Sequence, residues 1–244
     1  HRQSSADLQG IVVPGSGRMK PGWVAWVLFL GVCVTGPARA APPDKAIAPI
    51  ERYTTDKARS LAGTHQRQLR QIYDAIHRCH EWTEIQRLSF VTPKGTQDDA
   101  RYLNVWVWID QRITPAFAAA PAPLRASAMF QRYGIDLLRH LASHPPLAQD
   151  PALTGFAVVL TWMKPDFEPR PGVPGVSETL AVFVDKTTLQ RFLARQALPA
   201  EFIQQAMING FDGQAELAQL AGEVRNHFAQ SYKGEDPGSR APRC

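Results

Sequence analysis

At 244 residues, with 44% hydrophobic and 20% charged content, the chain can bury a core for one or at most two domains and lacks the composition of a disordered protein. Its formal charge of +5 sits mostly at the front: residues 1–40 hold Arg2, Arg18, Lys20 and Arg39 against Asp7, leaving 23 basic and 21 acidic residues behind them. A scattered balance of +2 gives no basic face of the kind nucleic acid recognition requires, so no nucleic-acid partner is expected.

Residues 1–18 begin without Met and show no periodicity; they read as a non-native or upstream segment. From Met19 the pattern is that of export: Lys20, the apolar run Trp23–Val34, a Gly36–Pro37 break, then Ala38-Arg39-Ala40 ahead of Ala41. That run is shorter than the roughly 20 residues of a membrane-spanning helix. The segment 19–40 is therefore expected to be a cleaved signal peptide, and the mature chain a soluble periplasmic or secreted protein without stable membrane insertion. Lipid attachment at Cys33 is the competing reading, disfavoured because Val32 stands where a small residue is usual. Cys79 and Cys244 would enter an oxidising compartment, where two thiols can pair.

Residues 41–53 read as a Pro/Ala-rich linker, 54–232 as a single α+β domain and 233–244 as a disordered tail. Helix is expected to begin near Thr54–Asp56, which offers an N-cap, with Gly63 as a point of interruption. Beyond it Leu69, Ile72, Tyr73, Ile76 and Cys79 recur at three- and four-residue steps, marking an amphipathic helix that ends near Trp82. Glu84–Val91 and Tyr102–Ile109 form a first strand pair. In the second of these Leu103, Val105, Val107 and Ile109 alternate with Asn104, Trp106 and Trp108, so both faces carry large apolar groups.

A helix from about Leu124 to Ser143 follows, with Phe130, Tyr133, Leu137 and Leu141 on its stripe and Pro145–Pro146 as its stop. Phe156–Met163 and Thr179–Val184 read as the middle strands of the sheet, joined by the Pro/Gly-rich loop Lys164–Ser177. Thr187 with Gln190 has capping-box spacing for a short helix, and Pro199 suits the first turn of another. Asn209–Gly213 reads as a turn, and Gln214 to about Tyr232 as a last helix with Leu217, Leu220, Ala221, Val224 and Phe228 inward. The expected fold is thus an antiparallel sheet of about four strands, in two pairs, packed with an N-terminal, a middle and C-terminal helices. LNVWV at 103–107 and LAVFV at 180–184 also hint at a degenerate helix–strand–strand repeat.

The densest reactive stretch is His77-Arg78-Cys79-His80-Glu81, where His77, His80 and Glu81 fall within one helical turn and are near enough to share a metal. Cys79 lies on the apolar stripe, where a free thiol behaves as a small hydrophobe, so it is expected to be buried and inert. His140 and His144 have the i, i+4 spacing of paired ligands, yet both stand at a helix end, where imidazoles also serve the helix dipole. No Gly-rich phosphate loop, nucleophile elbow, haem site or EF-hand spacing occurs, and no cofactor is expected.

The preferred reading is a non-enzymatic binding or accessory module of the envelope, engaging another envelope protein or a small ligand. Its surface would be the loops Thr92–Arg101 and Lys164–Ser177, with Trp106, Trp108, Asp166, Glu168 and Arg170 as candidate contacts. The alternative is a secreted enzyme or metal protein using His77, Cys79, His80 and Glu81, reached by His140 or His144 if the two helices pack together.

Overall fold

In the computed structural model the described residues are 43–80, 82–93, 96, 98–110, 115–165, 176–212, 215–216, 224–225, 227–228 and 230. All belong to the second of two units into which the chain divides, Ala40–Cys244. The segments 1–18 and 19–40, the tail 233–244, residues 166–175 of the long loop, and Leu217, Leu220 and Ala221 lie outside them.

The stretch expected as a linker carries the short helix α1 (Pro43–Ala46), a bridge from Ile47 to Leu88 and a 3-10 turn at Ile50–Arg52. Tyr53 is buried and its hydroxyl accepts the Phe90 N–H at 3.1 Å. Helix α2 (Asp56–Thr64) starts at Thr55, whose hydroxyl accepts the Ala58 N–H, and α3 (Gln66–Cys79) follows after a break at His65. On α3 the predicted stripe of Leu69, Ile72, Tyr73 and Ile76 is buried, as 3.6-residue periodicity requires.

Strands β1 (Thr83–Val91) and β2 (Tyr102–Ile109) form an antiparallel pair. Helices α4 (Pro115–Ala119), α5 (Ala122–Met129), α6 (Ile135–Ala142) and α7 (Pro145–Ala148) lead to a second antiparallel pair, β3 (Gly155–Met163) and β4 (Ser177–Asp185). Next come α8 (Lys186–Leu193), α9 (Pro199–Gln205), β5 (Met207–Asp212) and the two-residue β6 (Ala215–Glu216). The strands lie in sequence order, β1-β2-β3-β4-β5-β6.

The α+β class is as expected, but the sheet is mixed, with five full strands and a short sixth, rather than four antiparallel strands. Strands β2 and β3 run parallel, Tyr102 opposite Gly155 through Ile109 opposite Trp162. The cause is the connection: the helices between Pro115 and Ala148 return the chain to the end of the sheet where β2 began, which is how parallel neighbours are joined. The Asn209–Gly213 turn is also corrected, because Met207–Asp212 pairs with β4. Without β5, the backbone groups of that side of β4 would have no partners. Ala215–Glu216, expected to open the last helix, pairs with β5 instead. Val224 and Phe228 are helical and buried as expected.

One sheet face, with Leu103, Val105, Val107, Ile109, Phe156, Val158, Leu160, Leu180, Val182 and Val184, packs in the main core with the helices. The opposite face gathers Tyr102, Ala157, Val159, Ala181 and Phe183, with Trp106 half-buried beside them. The long middle helix is interrupted between α5 and α6 by a π-helical turn at Phe130–Gly134. Gly134 is required there: a Cβ would stand 2.8 Å from Cε2 of the Phe130 ring and closer still to Cδ2. At α8 the N-cap is Asp185, which accepts the Thr188 N–H at 2.9 Å, rather than Thr187. Among the described residues no helix is long and apolar enough to cross a membrane.

Candidate metal centre

Helix α3 ends at Cys79, so His80 is its C-cap, and the backbone fixes that position from both sides. The His80 N–H donates to Ile76 O at 2.9 Å, while the His80 carbonyl accepts from the Thr83 N–H at 3.2 Å and the Thr83 hydroxyl at 3.0 Å. Helix α6 packs against α3 and β3. Asp136 and His140, one turn apart on α6, share a face and meet His80 at this contact.

Among the described residues, the one cluster of three or more metal-type ligands is His80, Asp136 and His140, with one ligand atom of each within 4.8 Å of the others. His80 Nε2 stands 3.4 Å from Asp136 Oδ2, and the two side chains are 8% and 9% exposed. The His140 ring lies edge-on to that of His80, centroids 5.3 Å apart. The Nε2 atoms of His80 and His140 are both buried without a hydrogen-bond partner. A bare buried polar atom costs about 1–3 kcal/mol, and here two belong to one cluster with a carboxylate. The other oxygen of that carboxylate, Asp136 Oδ1, accepts from Arg139 Nη1 at 2.6 Å.

The electrostatics keep both imidazoles in the form that binds cations. Burial pulls His80 below the ordinary histidine range, Asp136 opposes that shift and His140 adds to it. Burial likewise lowers His140, against Asp136 and with the help of the Arg139 charge, and His144 is lowered by burial and then by His140. The cluster therefore presents neutral imidazoles beside a carboxylate near neutral pH.

Of the residues expected at such a site, His80 is in it and His77 is not: His77 is exposed and stacks on Tyr73 at 6.0 Å. Glu81, like Asp166, Glu168 and Arg170, lies outside the described residues. The conditional approach of His140 to the end of the first amphipathic helix does occur, whereas His144 caps α7 outside the cluster. Asp136 was missed, although Asp136, His140 and His144 recur at four-residue intervals. Cys79 is corrected on both counts: it is half-buried and disulfide-bonded, and both other cysteines, Cys33 and Cys244, lie outside the described residues. Trp106 and Trp108 are half-buried on the second sheet face, and the Trp106 indole N–H donates to the Thr161 hydroxyl at 3.0 Å, which ties it to the sheet.

Two further buried polar groups serve packing. His65 Nε2 bonds Asp150 Oδ2 at 2.7 Å, joining the α2–α3 break to the segment before β3. Arg125 on α5 grips both oxygens of Glu178 on β4, and Trp162 donates to the same carboxylate at 2.8 Å. No protein-family model, curated protein or solved structure matches the chain.

Proposed function

We propose that the chain is an exported α+β domain that binds one first-row divalent cation, zinc being the best chemical match, through His80, Asp136 and His140. The observation that carries this reading is the cluster of His80, Asp136 and His140, whose ligand atoms lie within 4.8 Å of one another and in which each imidazole has a buried, partnerless Nε2. Ligands about 2.0–2.1 Å from a tetrahedral zinc stand about 3.4 Å from one another, and His80 and Asp136 already have that separation. Two imidazoles and a carboxylate suit zinc, copper, iron and nickel far better than calcium or magnesium, which take oxygen sets. Arg139, donating to the outer oxygen of Asp136, supplies a hydrogen bond of the kind that orients a metal-binding carboxylate.

A cation here would fasten the end of α3 to α6. Bound at a hundred times its dissociation constant, it would add about 2.7 kcal/mol to stability. The test is titration of chelator-treated mature protein with Zn(II), followed by calorimetry and thermal unfolding. One equivalent should bind and raise Tm, while His80→Ala, Asp136→Asn and His140→Ala should each remove the shift and His77→Ala should not. Equal zinc stabilisation of the wild type and all three variants would sink the assignment.

The loop-borne binding module has no observation in its favour. Of its two loops, residues 94, 95, 97 and 166–175 lie outside the described residues, and the Trp106 indole is engaged within the sheet.

A further inference from the structure

We infer that the cation site, on whose reality this step depends, is a closed structural centre whose fourth ligand is the His144 imidazole, drawn in from just outside the cluster when the cation binds. Three protein ligands leave a tetrahedral cation one position, which catalytic zinc keeps for water or substrate and structural zinc fills from the chain. Burial favours the second course here. The Nε2 atoms of His80 and His140 are both buried, and the side chains of His80 and Asp136 are 8% and 9% exposed. A cation held by those atoms lies where a nearby side chain is a readier donor than solvent.

His144 is that side chain. Helix α6 ends at Ala142, but Ser143 keeps right-handed helical backbone at φ −73° and ψ −4°. The chain therefore reaches His144 about one turn beyond His140, as it reaches His140 one turn beyond Asp136. Residues so spaced on a helix have Cβ atoms about 5–6 Å apart, and the Cα–Cβ bonds tilt toward the N-terminus, which directs each side chain over the turn before it. The His144 imidazole is half-buried and makes no capping hydrogen bond to α7, so capping does not hold it outside. Burial, and then the neighbouring His140, lower its pKa, which leaves it a neutral lone-pair donor near neutral pH. Two other candidates are committed elsewhere: Cys79 is disulfide-bonded, and His77 is exposed and stacks on Tyr73.

Three imidazoles and a carboxylate then close the shell. The cation fastens the joint between α6 and α7 as well as the contact of α3 with α6, and it keeps no coordinated water to activate.

The experiment is nitrogen NMR of the histidine side chains of the mature protein with one equivalent of Zn(II), together with visible absorption of the Co(II)-loaded protein titrated with azide. The imidazoles of His80, His140 and His144 should all take metal-bound shifts, and the Co(II) spectrum should ignore azide. His144→Ala should bind one equivalent at least tenfold more weakly, the smallest loss usual even for groups that only orient a ligand. Its Co(II) spectrum should respond to azide, because solvent then fills the fourth position, while His77→Ala should match the wild type. The set of shifted imidazoles is read on the wild type, so it decides the matter even where His144→Ala fails to fold.

Metal-bound shifts at His80 and His140 alone overturn the inference and leave the cation site standing. So does an azide response in the wild type, or undiminished affinity in His144→Ala. Failure of both metals to bind removes the site and the inference together.

Discussion

His80 and Asp136, 56 residues apart in sequence, meet at 3.4 Å between His80 Nε2 and Asp136 Oδ2, with no hydrogen bond made by that nitrogen. Because burial holds His80 and His140 below 6.5, the folded apo-protein binds fewer protons than the unfolded chain between their folded values and 6.5. The associated stability is present above pH 6.5 and is lost as the pH falls below it. Urea unfolding of chelator-treated protein from pH 8 to pH 5.5 should show this as a decline below pH 6.5 of up to about 1.4 kcal/mol per pH unit for each group. His80→Gln should make it shallower by removing one of the two contributions. A wild-type profile level across the same range would contradict the assignment.

Gly134→Ala tests the π-helical turn. Alanine ordinarily favours a helix over glycine by about 1 kcal/mol, but here its Cβ collides with the Phe130 ring. That ring is held between Phe202 and Phe228, at centroid distances of 6.2 and 5.4 Å, and is 1% exposed. Overpacking of this kind costs about 1–3 kcal/mol, so the net effect should be destabilising. Asp136 and His140 lie in the turns that follow, so cation affinity should fall with stability. A variant as stable as the wild type would mean that Phe130 can yield.

The strands were legible because each signal is local. The alternation of Leu103, Val105, Val107 and Ile109 with Asn104, Trp106 and Trp108 gives β2 its limits whatever its neighbours are. The parallel β2–β3 contact was not legible, since it depends on where the intervening helices return the chain rather than on either strand. Asn209-Gly210 is a turn signal that the open edge of β4 overrode by pairing with it. At the metal centre, His80 was readable as part of a reactive cluster, but its partners were sought among its sequence neighbours. A helix end can face only a fraction of its own turn, and the completing ligands came from the helix packed across it. Asp136 adjoins Leu137 on a helix read for its apolar stripe, and only its four-residue spacing from His140 separates it from a solvated carboxylate.

Asp150 gives a second, more acidic dependence. Burial by itself would raise its pKa, but the hydrogen bond from His65, the Ala152 N–H and the charges of His65 and Lys186 outweigh burial and leave it below the ordinary 3.8. A depressed carboxylate contributes stability above its unfolded value, and that contribution is lost as the pH falls through 3.8 and below. Asp150→Asn should therefore destabilise the protein at pH 6 and narrow the gap to wild type at pH 3, read from urea midpoints at each pH. A gap that is the same at both values would show that the Asp150–His65 bond does not depend on the carboxylate charge.

Arg125 and Glu178 pose the sharpest packing test. The guanidinium donates from Nε to Glu178 Oε2 at 3.0 Å and from Nη2 to Oε1, and from Nη1 to the Ala120 carbonyl. The side chains are 9% and 3% exposed, and Glu178 also accepts from Trp162 at the end of the helix-covered sheet face. Removing one partner strands a buried charge, for which the usual cost is about 3–5 kcal/mol, whereas replacing both with apolar groups of similar volume is often close to neutral. Arg125→Met and Glu178→Leu should each destabilise strongly, and the double variant should be more stable than either single one. Glu178→Gln should be milder than Glu178→Leu, because an amide oxygen can still accept from Trp162. Urea unfolding of the four variants and the wild type yields the coupling energy directly. Strictly additive losses would mean that the pair is not the unit holding α5 to β4.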